Sequence, residues 1–194
     1  MTVEELYTNF CDNFKGICKS TPDSDQEELC RNINNYFYNL GLDNNCAVYT
    51  KPHVVKQGKQ GFLVDLCWAS KKNSEDSYGL DLALESEWGS SRDKIMDEFY
   101  KLMVLKAFIK LMIIGRFQQE INSLLEAMSK TIQNSSVKYP GEEYLIIFFP
   151  DGYKAKPKIK NGQIFIGYKI SFQGKLQPLK PHFLNNNSNS HAAY

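Results

Sequence analysis

This chain of 194 residues contains no Cys-x-x-Cys pair and no cysteine–histidine spacing of the kind that holds zinc. Its five cysteines, Cys11, Cys18, Cys30, Cys46 and Cys67, are odd in number and sit mostly in apolar patterns, so they read as reduced core thiols rather than a disulfide framework. No basic-then-apolar leader opens the chain; Thr2-Val-Glu-Glu is acidic, and export is not expected. Long hydrophobic runs are missing as well. The longest, Leu102 to Ile114, is interrupted by Lys106 and Lys110 and falls short of the roughly 20 apolar residues of a membrane span. A cytoplasmic protein without a membrane segment is the expectation. The histidines, His53, His182 and His191, are scattered, and none can be paired with a nucleophile. Acidic residues are absent from one whole region: Gly152 to Tyr194 holds seven lysines and no Asp or Glu, whereas residues 1–50 hold eight acids against three bases. Within a net charge of +1, that asymmetry either turns one end toward a polyanion or marks a solvated lysine-rich surface.

What is present is a globular composition, 42% hydrophobic and 13% aromatic, long enough for one core. A single domain over residues 1–184 is expected, followed by a flexible tail over 185–194. Thr2-x-x-Glu5 and Ser24-x-x-Glu27 have the pattern of capping boxes, which opens helices over about 3–18 and 25–40. The second carries Leu29, Ile33, Phe37 and Leu40 on one face and is expected to stop at Gly41. Strands follow over Cys46 to Lys51 and Gly61 to Ala69, separated by the turn-like Gln57-Gly-Lys-Gln-Gly61.

The stretch Leu80 to Gly89, Leu-Asp-Leu-Ala-Leu-Glu-Ser-Glu-Trp-Gly, alternates as a strand and sends Glu85 and Glu87 from one face, about 7 Å apart along the chain. Like charges placed side by side are costly unless something positive lies between them, so a cation is the first candidate. Asp65, inside the preceding apolar strand, reaches the same end of that hairpin. Three carboxylates with a backbone carbonyl at Ser86 form an oxygen-rich set suited to Mg2+ or Mn2+.

Beyond it, Ser90-Ser-Arg-Asp93 has the pattern of a third capping box. A helix follows with Ile95, Met96, Phe99, Leu102 and Met103 as its buried stripe, breaking near Lys106. Phe108 to Ile114 reads as a buried strand, Arg116 to Ile132 as a helix, and Glu143 to Phe149 as another buried strand. The fold class is α/β: a mixed central sheet flanked by helices on both faces. At the end, Lys154, Lys156, Lys158 and Lys160 alternate on one strand. The Asn161-Gly162 turn and the alternating Ile164 to Phe172 complete a C-terminal β-hairpin.

The segments Phe-Leu-Val-Asp65-Leu and Leu-Ala-Leu-Glu85-Ser-Glu87-Trp, followed by a helix with Asp97-Glu-Phe-Tyr-Lys101-Leu and a further strand, resemble the PD-(D/E)xK, or restriction endonuclease-like, nuclease superfamily. The resemblance covers roughly Cys46 to Phe149. It implies a restriction endonuclease-like core and a hydrolase cleaving DNA with Mg2+ or Mn2+, as an endonuclease, with exonuclease action left open. By position, Asp65 and Glu85 would bind the ion. Glu87 stands where the family pattern usually has lysine, and would orient water or hold a second ion. Lys101 on the following helix is the candidate for the displaced lysine, ahead of Lys94 and Lys106, and would stabilise charge on the phosphate. Cutting both strands at a palindrome would call for a homodimer.

The lysines from Lys154 to Lys160 suit phosphate contacts, with Tyr153, Tyr168 and Phe165 as stacking partners for bases; lysines blunting an edge strand are an equal alternative. Trp68 and Trp88 are assigned to the core or its rim. Two other readings stand beside the nuclease. One is a catalytically inactive nuclease-fold module that binds nucleic acid or a protein partner. The other is a plain α/β domain whose Asp65 and Glu85 are satisfied by local lysines.

Overall fold

The computed structural model describes residues 1–19, 26–51, 59–60, 63–70, 79–88, 91–115, 121–149 and 164–183. Among these residues four helices form, α1 (Val3–Lys19), α2 (Gln26–Asp43), α3 (Arg92–Val104) and α4 (Ile121–Asn134). The strands are β1 (Cys46–Thr50), β2 (Lys59–Gln60), β3 (Leu66–Ser70), β4 (Leu80–Glu87), β5 (Ala107–Ile114), β6 (Glu143–Phe148), β7 (Ile164–Ser171), β8 (Leu176–Pro178) and β9 (His182–Phe183). Eight strands pair in the order β2-β1-β3-β4-β5-β6-β7-β8, and β9 pairs with β7. The centre of the sheet is mixed. β1, β3 and β4 run antiparallel in turn, β4, β5 and β6 are mutually parallel, and β7 turns antiparallel to β6. The parallel steps are crossovers through α3 and α4, as expected where a helix separates two adjacent strands.

Each face of the sheet carries its own apolar cluster. On one, α1 supplies Val3, Leu6, Tyr7, Phe10 and Phe14, and α2 supplies Leu29, Ile33 and Phe37, against Leu66, Trp68, Leu82, Leu84, Leu111 and Leu145. On the other, α3 and α4 bring Ile95, Phe99, Leu102, Leu125 and Met128 against Ala83, Met112, Ile146 and Phe148. Leu82 and Leu84 therefore enter one cluster while Ala83 enters the other, the two-residue alternation of a strand covered on both sides.

Local chemistry explains most boundaries. Thr2 and Glu5 form the reciprocal capping box: Thr2 N donates to Glu5 Oε2 at 2.8 Å and Glu5 N to Thr2 Oγ1 at 3.2 Å. α2, in contrast, runs through Gly41 to Asp43, and the left-handed residue that follows it is Asn45, with φ of 59°. Gly41 serves close approach instead. A Cβ there would stand 2.4 Å from Trp68 Nε1, and that indole donates to the Phe37 carbonyl at 3.0 Å. Ser91 occupies the N-cap of α3 with extended backbone and makes no side-chain cap bond, while Ser90, the first residue of the expected third capping box, lies outside the described residues.

β3 starts at Leu66, later than the strand predicted from Gly61, because residues 63–65 bend. Lys110 lies in β5 and not in a helix. It is fully buried and pairs with Glu142 at 2.8 Å, with the Tyr144 hydroxyl and Met103 carbonyl each at 3.3 Å. Burial pulls the Lys110 pKa down against the opposing pull of Glu142. Among the described residues no helix is long and apolar enough to cross a membrane.

Candidate active site on the β1, β3 and β4 strand ends

The register that pairs Thr50 with Leu66 and Leu66 with Leu84 runs on by one residue at the strand ends. It places Lys51 beside Asp65 and Asp65 beside Glu85, and the Lys51 N–H donates to the Asp65 carbonyl at 3.1 Å. Antiparallel pairing is what assembles this row. The end of β1, the entry to β3 and the end of β4 fall together because neighbouring strands reverse direction. Three side chains remote in sequence thus meet at one edge of the central sheet.

Lys51 is the cation between the acids. Its Nζ lies 2.8 Å from Asp65 Oδ1, 3.1 Å from Glu85 Oε1 and 3.3 Å from Glu85 Oε2. Asp65 turns its other oxygen to Ser86, whose N–H donates to Oδ2 at 3.0 Å and whose hydroxyl donates at 2.9 Å. Ser86 Oγ is in turn 3.2 Å from Cys30 Sγ on α2. Glu85 projects to the side of the sheet that Ala83 also faces, where α3 packs, whereas Ser86 faces α2.

Burial sets the electrostatics. The Glu85 side chain is 1% exposed. Its pKa is pushed up to about 9, first by burial and then by the negative charge of Asp65, with Lys51 pulling the other way and Glu98 of α3 adding to the rise. Burial works against the charge of Lys51 too, but its hydrogen bonds and charge interactions with Asp65 and Glu85 outweigh it and raise its pKa. The Cys30 thiol is pushed up, chiefly by burial, which keeps it protonated.

The sequence-predicted residues divide accordingly. Asp65 and Glu85 are brought together, joined through one lysine. Ser86 contributes its N–H and hydroxyl to Asp65. Glu87 is half-buried beside Ile114. Among the described residues no three His, Cys, Asp or Glu side chains stand close enough to hold a metal ion, so the expected three-carboxylate cluster is reduced to the Asp65–Glu85 pair. Lys101 forms its salt bridge with Glu98 at 2.6 Å. Lys94 is exposed near the start of α3, and Lys106 lies over the Tyr139 ring at 5.4 Å.

Lys51 was missed by sequence reasoning. Its one available signal was its place at the end of the strand before Asp65, which matters only once β1 and β3 are known to pair. Lys154, Lys156, Lys158, Lys160 and Tyr153 lie outside the described residues, as do the Asn161-Gly162 turn, His53, His191 and the tail from 185. Phe165 is not a stacking platform. It is fully buried, 4.7 Å from Phe14 and 5.2 Å from Phe149, ring centre to ring centre. Tyr168 packs partly against the α3/α4 cluster. Trp68 and Trp88 are core residues, 4% and 5% exposed. His182 Nε2 lies 3.3 Å from Asp12 Oδ1.

Two buried or half-buried carboxylates with four oxygens suit a hard divalent cation, which commonly takes one or two carboxylates and completes its shell with water and phosphate. Lys51 holds the position such an ion would share, a positive charge within 3.3 Å of both acids. The oxygen donors are of the kind Mg2+ or Mn2+ takes, with Lys51 having to give up that position to an ion. The chain matches no family model, no curated protein and no solved structure.

Proposed function

We propose that this protein is a divalent-metal-dependent phosphodiesterase acting on DNA, built on a restriction endonuclease-like core. The observation that carries the reading is the convergence of Lys51, Asp65 and Glu85 at one end of β1, β3 and β4. The antiparallel β1-β3-β4 unit and the α3 crossover to parallel β5 support it, being the strand and helix order on which the sequence resemblance rests.

Asp65 and Glu85 would hold Mg2+ or Mn2+, which supplies electrophilic activation of the phosphate and a nucleophilic water at neutral pH. Ser86 fixes the Asp65 carboxylate by two donors, so that its Oδ1 stays aimed at the cation position. Lys51, displaced from between the carboxylates but tethered beside them, is placed to donate to a phosphate oxygen as negative charge develops there. It takes the charge-stabilising role first given to Lys101. Lys154, Lys156, Lys158 and Lys160 would hold backbone phosphates without reading sequence, and cutting of both strands would use a homodimer.

A second reading has its own support. Lys51 already bridges both carboxylates, as in a structural salt bridge, the arrangement of a plain α/β domain whose acids are satisfied by a local lysine and equally of a catalytically inactive module that binds nucleic acid or a protein partner. One assay separates the two. Plasmid and linear DNA are incubated with the protein in Mg2+ or Mn2+, alongside Asp65→Ala and Glu85→Ala. Metal-dependent cleavage lost in both variants supports the phosphodiesterase. Cleavage surviving them, or salt-sensitive DNA retention with no cutting, removes it.

A further inference from the structure

Ser86 links the carboxylate pair to α2 through a run of hydrogen bonds whose direction can be deduced. An ionised carboxylate only accepts, so the Ser86 hydroxyl hydrogen is committed to Asp65 Oδ2 at 2.9 Å. Its oxygen then offers only lone pairs to Cys30, and the thiol must be the donor across 3.2 Å. The sulfur, with its hydrogen spent, accepts from Asn34 Nδ2 at 3.6 Å, an amide held in place by its bond of 2.9 Å to the Cys30 carbonyl. Asn34 is fully buried, and its Oδ1 has no partner among the described residues, so this amide has no solvent contact to compete for it.

We infer that Cys30 is a positioning residue of the site: its S–H, oriented by Asn34, holds the Ser86 hydroxyl in the rotamer that gives Asp65 its second hydrogen bond. The α2 helix thereby fixes the carboxylate from the side of the sheet opposite α3. This rests on Asp65 being a cation ligand under the proposed function. A cysteine that merely fills space would be replaced without loss by another apolar group of its size. A donor would be replaced only by another donor.

The experiment compares the wild type with Cys30→Val, which fills the space without a donor, Cys30→Ala and Cys30→Ser, which restores one. The first readout needs no metal: the NMR shift of the Ser86 amide proton, which reports its bond to Asp65. It is expected to move upfield in Cys30→Val and Cys30→Ala and to return toward the wild type in Cys30→Ser. The second is Mn2+ affinity, expected to weaken about tenfold or more in Cys30→Val and to recover in Cys30→Ser, as for partners that orient metal ligands. Should Cys30→Val fail to fold, Cys30→Ala against Cys30→Ser carries the same comparison of a side chain without a donor and one with it.

A Ser86 amide in Cys30→Val that coincides with the wild type overturns the inference, and so does a Cys30→Ser that behaves like Cys30→Val. Absence of Mn2+ binding in the wild type sinks the cation-site reading instead, while the amide comparison still decides the role of Cys30.

Discussion

Lys51 reaches past its cross-strand neighbour to hold Glu85 on the strand beyond, its Nζ 3.1 Å from Oε1 and 3.3 Å from Oε2. Glu85 is buried beside a second carboxylate, and this lysine is the positive charge that touches both. The consequences for stability and for activity can be measured separately.

Replacing Lys51 by Met should destabilise the fold by about 2 kcal/mol, the worth of hydrogen bonds to charged groups. The larger penalty of an unpaired buried charge is avoided because Glu85, its pKa raised to about 9, already holds a proton at neutral pH. Urea unfolding without divalent ions would measure the loss, and the double variant Lys51→Met, Asp65→Asn should lose less than the sum of the single variants.

Glu85 makes stability depend on pH in a defined direction. Its pKa is raised from 4.5 to about 9, so between those values the folded state holds a proton that the unfolded state has released. Stability contributed by this group falls as pH rises through that window and levels off above about 9. Glu85→Gln, which has no proton to lose, should therefore gain on the wild type steadily from pH 4.5 to 9. Denaturation of both proteins across that range checks the difference, and a constant difference would contradict the assignment.

The two candidate lysines are expected to differ in their effect on cleavage. Lys51→Ala should reduce the rate by about 100- to 1000-fold, the cost of removing one stabilising donor in related cases. Lys101→Ala, which frees Glu98 but touches neither Asp65 nor Glu85 among the contacts described, should stay within a few-fold of the wild type. The reverse order in single-turnover rates would return the role to Lys101.

Lys110 and Glu142 form a buried pair apart from the site, 0% and 4% exposed. Lys110→Met alone leaves the Glu142 carboxyl without its cation and should cost about 3 kcal/mol or more. Adding Glu142→Leu should recover most of that loss. Denaturant midpoints at unchanged slope provide the comparison.

A methyl group has no room at Gly115. A Cβ there would stand 2.1 Å from Trp88 Cε3, and Trp88 is anchored against Phe149 with ring centres 4.9 Å apart. Gly115→Ala should cost about 1–3 kcal/mol through overpacking and alter tryptophan fluorescence.

Much of the fold follows from patterns a few residues long. Thr2 with Glu5 starts α1, and Leu29, Ile33 and Phe37 mark the buried stripe of α2. Lys106 and Lys110, falling in an apolar run, separate α3 from β5. Gly41 misled because a glycine near a helix end has two uses, and only the position of Trp68 shows that close approach is the one required. Phe165 likewise alternates as a strand residue whichever face is covered, and α1 is what buries it.

For the candidate site, the sequence by itself determined that Asp65 and Glu85 would leave the same end of one strand pair, because side-chain alternation and a hairpin reversal are local properties. Tertiary structure decided what meets them. It drew Lys51 in through the β1–β3 pairing, set Ser86 against Cys30 of α2, and left Lys101 with Glu98. Register between strands is settled by the packing of two whole faces against their helices, so no short stretch of sequence contains it.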